Sequence, residues 1–233
     1  EHLTTPDIDE RYALSDNAIY SVYKDREGGM WVGSYFGGLN YYPCQYTYFE
    51  KYYPRETLQQ MGRRVREFCA GNDGTLWFGT EDKGLFNFNP EDGKIKPFHH
   101  LELGHNIHGL CLDGNSLWVG TFSDGLSHID LRTNALKHYS KGNALNTLNS
   151  DNIFFVCKTS TNDIWIGTTS GLLRYNRSSD DFLRIKELDN VFVYDILEDS
   201  YGKLWLATYS DGVFCYDLPQ NRWKHYKWIP EDS

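Results

Sequence analysis

Five short loops hold the residue types that could recognise a ligand. They read SYFGG, TEDKG, TFSDG, TTSG and TYSDG, and they carry Tyr35, Phe36, Glu81, Asp82, Phe122, Asp124, Tyr209 and Asp211. Aromatic faces stack on sugar rings and carboxylates accept hydrogen bonds from hydroxyls, so this mixture suits a carbohydrate. A plainer reading stands beside it. Asp-Gly is common turn chemistry, because Asp bonds its own backbone and Gly supplies positive φ, and aromatic rings also pack on one another. Asp124 and Asp211 are read first as turn residues. A second group is cationic: KYYPRETLQQMGRR holds Arg55, Arg63 and Arg64 beside Tyr52 and Tyr53. An arginine fork binds a carboxylate or sulfate, which would fit an acidic sugar. A solvated charged loop explains the same residues.

Other chemistry finds less support. HHLELGHNIH gathers His99, His100, His105 and His108, but a zinc site needs ligands converging at about 2 Å, and no Cys or acid recurs at ligand spacing. The Asp-x-x-Gly turns at Asp25 and Asp199 lack the run of oxygens that a calcium loop needs; their Asp is expected to cap its own turn. No nucleophile elbow, His-Glu-x-x-His helix or phosphate loop occurs, and no acid pair is singled out for glycoside hydrolysis. No catalytic residue, metal or cofactor is expected.

The elements that must position these loops form a repeat. Trp31, Trp77, Trp118, Trp165 and Trp205 recur in MWVGS, LWFGT, LWVGT, IWIGT and LWLAT, a period of about 45 residues of the kind that decides a fold. A polar turn precedes each Trp, and a Gly plus an apolar residue follows it: FGGL, DKGL, SDGL, TSGL and SDGV. Each unit reads as four short strands. The first is apolar at alternate positions (AIYSVY, VREFCA, NIFFVC, VYDILE), the second carries the Trp, the third follows the Gly, and the fourth is aromatic. Four strands per repeat predict an all-β fold, a β-propeller of five four-stranded blades. The blades are expected at about 14–53, 61–99, 103–140, 148–186 and 188–228 of a single propeller fragment. Blades pack on both faces, which accounts for apolar residues at both parities, such as Leu85 with Phe88 and Leu126 with Ile129. Trp is expected to wedge between blades. Cys69, Cys111 and Cys157 fall at equivalent strand positions of different blades, too far apart to pair, and read as small buried apolar residues; Cys44 and Cys215 have no obvious partner. The first and last segments resemble linkers, so an incomplete arc of a larger ring is expected, with a closed five-bladed ring as the alternative.

Composition bounds the rest. Apolar residues make up 40% and aromatics 16% of the 233 residues, and the formal net charge is -9. A chain this rich in rings can bury a core. The negative charge disfavours nucleic acid and anionic membranes, which need clustered Lys and Arg. No apolar run approaches the roughly 20 residues of a membrane helix, and EHLTTPDIDE is no secretory signal.

The pattern shared by the units resembles the two-component regulator propeller repeat. LSDNAIYSVYKDREGGMWVGSYFGGLNYY carries the fullest copy, and the likeness extends over residues 14–228. Three departures stand out: five repeats only, STND in place of the Asp-x-x-Gly turn in the fourth, and Ala207 where the other units have Gly. The chain is similar to extracytoplasmic sensors of hybrid two-component systems of gut Bacteroidetes, in which two seven-bladed propellers precede a β-sandwich, a membrane span, a histidine kinase and a response regulator. The resemblance implies a periplasmic, non-catalytic module of a parent anchored in the inner membrane. It also implies oligosaccharide detection, a neighbouring propeller in the same chain and a homodimeric parent. Two other readings stay open. Streptogramin lyases are propellers with similar Trp repeats that use a metal and a His, and a pure scaffold would only dimerise or transmit motion.

Overall fold

A computed structural model describes residues 14, 17–26, 28–34, 39–42, 64–100 and 102–228. The chain divides into two compact units, Glu1–Tyr53 and Pro54–Ser233. In the first unit β1 (Ile19–Lys24), β2 (Met30–Ser34) and β3 (Leu39–Tyr42) form an antiparallel meander. The aromatic fourth strand expected over YTYFEKY lies outside the described residues, as does Cys44.

The second unit holds four sheets of four strands each, in chain order. They are β4 (Val65–Ala70) to β7 (Lys94–Phe98) through β5 (Leu76–Thr80) and β6 (Leu85–Asn89), then β8 (Ile107–Asp113), β9 (Ser116–Thr121), β10 (Leu126–Asp130) and β11 (Leu136–Tyr139). The third sheet is β12 (Ile153–Lys158), β13 (Ile164–Thr168), β14 (Gly171–Asn176) and β15 (Asp181–Arg184). The fourth is β16 (Val193–Glu198), β17 (Lys203–Thr208), β18 (Val213–Asp217) and β19 (Arg222–Tyr226). First strands lie side by side: β4 against β8, β8 against β12 and β12 against β16. This is the all-β, bladed architecture that the repeat predicts.

Each residue of the shared Trp-x-Gly-Thr phrase has a packing task. Trp118 is fully buried and meets Tyr175 of the next blade at 4.6 Å between ring centroids; Trp165 likewise reaches Tyr216 at 6.0 Å. Removing such a side chain from water is worth roughly 1.5–3 kcal/mol. The Gly lets the next blade close in. A Cβ at Gly120 would lie 2.5 Å from Ile153 Cγ2, and one at Gly79 would clash in the same way with Ile107. The Thr ties down the loop that follows it: Thr121 Oγ1 donates to the Gly125 carbonyl at 3.0 Å and accepts from the Asp124 amide at 2.8 Å. Thr80 and Thr208 do the same. The sheet of β8 to β11 faces a core on both sides, as Leu126 and Ile129 show by joining different apolar clusters.

The turn Asp residues cap the Trp as well as the backbone. Asp199 Oδ1 accepts from the Tyr201 and Lys203 amides at 2.9 and 3.0 Å, and its Oδ2 accepts from Trp205 Nε1 at 2.8 Å. Asp25 holds Gly29 and Trp31 in the same manner, at 2.7 and 2.9 Å. The matching position is Asp113 in the third unit, where the turn is shorter and the carboxylate pairs with Lys158 and Arg177 instead, and Thr159 in the fourth; there the buried Trp118 and Trp165 Nε1 groups have no partner among the described residues. Cys69, Cys111, Cys157 and Cys215 are free thiols. Burial pushes the Cys111 thiol up to about 12 and raises Cys157 as well, which suits apolar packing and not reactivity.

Candidate functional site

Every first strand begins with the same irregularity. Pairing with the second strand slips between Ile19 and Ser21, Val65 and Glu67, Ile107 and Gly109, Ile153 and Phe155, and Val193 and Asp195. One residue is left over each time: Tyr20, Arg66, His108, Phe154 and Tyr194. A β-bulge re-aims the side chain of its extra residue and ends regular pairing. In the second unit it places four side chains from four neighbouring first strands around one cleft of about 340 Å³, which Glu67, Phe155 and Asp195 also line.

These side chains form a continuous row. Arg66 Nη2 lies 3.4 Å from His108 Nδ1. The His108 ring meets Phe154 at 5.0 Å and Phe154 meets Tyr194 at 5.4 Å. Phe192, just before β16, packs on Phe154 at 4.5 Å. Two loop residues named from the sequence join the row: Phe122 contacts His108 and Phe154 at 5.5 and 5.8 Å, and Tyr209 stacks on Phe192 at 5.4 Å. The rings are accessible, with Phe122 42%, Tyr194 44% and Tyr209 75% exposed.

Charge is concentrated at one end. Glu81, a third loop residue named from the sequence, pairs with Arg64 at 2.8 Å and Arg66 at 3.5 Å. The hydrogen bond from Arg64 holds the Glu81 carboxyl below its usual range. Burial, and then the Arg66 charge, lower the His108 pKa. A neutral ring that accepts through Nδ1 follows, since a guanidinium only donates. Burial raises the Glu67 carboxyl, and Asp195 raises it further.

The remaining sequence candidates fall elsewhere. Asp82 is exposed on its loop. Asp124 accepts from Ser123 Oγ at 3.2 Å and lines a separate cavity of about 430 Å³ with His105, His138 and Asp151. Asp211 pairs with Lys227 at 3.0 Å. His99, His100 and His105 line a further cavity of about 290 Å³. Among the described residues no group of His, Cys, Asp or Glu is placed to hold a metal ion. Tyr35, Phe36, Arg55 and Arg63 lie outside the described residues. Arg66, Phe154, Phe192 and Tyr194 were not singled out from the sequence. The signal that marks the bulge is an offset: each extra residue stands eleven positions before its Trp, or ten in the third unit, whose turn is shorter.

Known proteins share parts of this chain's sequence and its fold. The two-component regulator propeller family matches residues 13–36 and 187–210. A histidine kinase of Formosa agariphila is 27% identical over 159 residues, which are 63% of this chain and 12% of the kinase. The extracellular domain of a hybrid two-component system of B. thetaiotaomicron superposes with a TM-score of 0.62 at 24% identity, over 91% of this chain and 28% of that one. A second such domain from the same organism gives 0.65 at 20% identity, over 97% and 30%. Virginiamycin B lyase of Staphylococcus aureus gives 0.61 at 13% identity, over 91% and 84%. The chain thus spans about an eighth of the kinase and under a third of the two sensor domains. Likenesses this distant in sequence show a shared fold. No helix is long and apolar enough to cross a membrane. Two stretches of the chain thus match the two-component regulator propeller repeat, and its fold is shared with extracellular domains of hybrid two-component systems.

Proposed function

We propose that this chain is the ligand-binding part of an extracytoplasmic sensor, and that its ligand is an oligosaccharide. The observation that carries the reading is the row of accessible rings from Phe122 through Phe154 to Tyr209, which ends in the Arg66–Glu81 pair. Flat apolar faces beside fixed donors and acceptors are what a sugar ring needs, since its C–H face stacks while its hydroxyls bond. The repeat family and the histidine kinase likeness support a parent that signals through a kinase. In that parent the module is periplasmic, non-catalytic and tied to the inner membrane through its other domains. It works beside a neighbouring propeller in a homodimer.

Calorimetry of the chain against a panel of neutral, acidic and amino oligosaccharides tests this. At least one class is expected to bind, and Phe154→Ala or Tyr209→Ala is expected to weaken it by roughly tenfold, the loss expected from removing one stacking partner and its contacts. A binder that ignores both changes would move the site elsewhere. Silence across the whole panel would refute oligosaccharide binding.

A further inference from the structure

The cleft among the first strands is not neutral. The Arg66 guanidinium and the Glu67 and Asp195 carboxylates line it, and beside Arg66 the Glu81 carboxylate also holds Arg64. Glu81 occupies both arginines, at 2.8 and 3.5 Å, so the cations that an anionic sugar would need are already engaged. Glu67 and Asp195 are the unmatched charges. Each accepts only from the backbone amide of the next residue, Phe68 at 3.1 Å and Ile196 at 2.7 Å. Among the described residues neither has an ion-pair partner. They come from the first and the last of the four neighbouring first strands, so they face the same cleft from its two sides. The same cleft is lined by the Phe154 and Tyr194 rings, 5.4 Å apart, whose π-faces attract a cation as readily as they stack on a sugar. Glu67 is partly buried without a counter-ion, which costs free energy, and an ammonium in this cleft would relieve it while pairing with the exposed Asp195.

We infer that the bulge cleft selects a ligand that carries a protonated amine, an amino sugar in an oligosaccharide, and discriminates against a uronate. The inference rests on the oligosaccharide reading above and adds the charge of the sugar. Glu67 and Asp195 are the selecting residues, while Phe154 and Tyr194 supply the faces. Arg66 is locked by Glu81 and His108 and acts as a wall of the cleft, not as an anion clamp.

The test is a matched ligand series on the unmodified chain: glucosamine oligomers, their N-acetylated counterparts, neutral glucose oligomers and oligogalacturonates. The amine series is expected to bind about tenfold or more tighter than the acetylated one, the scale of a charge-assisted hydrogen bond, and the uronates most weakly. Glu67→Gln and Asp195→Asn preserve shape and remove charge, and each is expected to narrow the amine preference by weakening the amine series more than the neutral one. Equal binding of amine and acetylated series, or tighter binding of uronates, overturns this inference and leaves the oligosaccharide reading standing. Failure of all four series refutes both. An amine preference that survives both substitutions removes Glu67 and Asp195 from the account.

Discussion

At the scale of single residues, polar side chains are shared between blades. Asp180 is the clearest case. Its Oδ1 accepts from Tyr139 at 2.6 Å and Tyr175 at 2.8 Å, while Lys137 pairs with Oδ2. Lys137 and Tyr139 belong to β11, so this carboxylate pins the outer strand of one blade to the turn of the next. The Lys137 bond first, then the Tyr139 hydroxyl, pull the Asp180 pKa from its ordinary 3.8 to about 2. A depressed folded pKa means stabilisation that is present above the unfolded value and is lost as pH falls through the folded one. Asp180→Asn is therefore expected to destabilise the chain at pH 7 by about 1 kcal/mol, once solvent screening of this half-exposed pair is allowed for. The gap to the unmodified chain should close between about pH 4 and pH 2. Urea denaturation across that range checks it, and a gap constant with pH would show that the ionised carboxylate is not what matters. Residues of this kind are hard to read in a sequence. Nothing local in RSSDD marks Asp180 as the partner of a residue some forty positions earlier.

At the scale of the element, the Trp-x-Gly-Thr strand explains both what was legible and what was not. Five copies of one phrase announced the blades, because the requirements at Trp118, Gly120 and Thr121 are geometric and recur wherever one blade meets another. The loops after it were legible as well, and Phe122, Tyr209 and Glu81 do meet the ring row. The other half of the row was not. Strict alternation along NIFFVC or VYDILE assigns Phe154 and Tyr194 to one face of a regular strand. The bulge inserts an extra residue, so alternation fails at its start. Asp124 and Asp211 sit in the loops after the strand, their amides tied to Thr121 and Thr208 and the Asp211 carboxylate paired with Lys227. The Gly of the phrase yields a sharp expectation. Gly120→Ala sets a methyl 2.5 Å from Ile153 Cγ2, and overpacking of this kind costs roughly 1–3 kcal/mol. Ile153→Ala in the same chain would give the methyl room, so the double variant should be less destabilised than the sum of its parts. Simple additivity would mean that the two residues do not share the seam. Ala207, exposed at the matching position of the last sheet, shows that a methyl is tolerated where no such contact is made.

At the scale of the whole molecule, the repeat makes the blades alike and the bulge makes them differ. The second unit repeats one sheet four times, so its core residues answer to the same constraints in every blade. The bulged positions answer to none of them. Arg66, His108, Phe154 and Tyr194 differ in charge and polarity yet reach the same cleft, which is how a repetitive scaffold can present a non-repetitive surface. The central claim is that this cleft, and not the cavity around His105 and Asp124, is where a ligand sits. Hydrogen–deuterium exchange of the chain with and without a bound oligosaccharide measures that directly. The account predicts ligand-dependent protection in the starts of β4, β8, β12 and β16, with the loops that hold Phe122 and Tyr209. Protection confined to 102–105, 123–124 and 138–151, with those four strand starts unchanged, would contradict it.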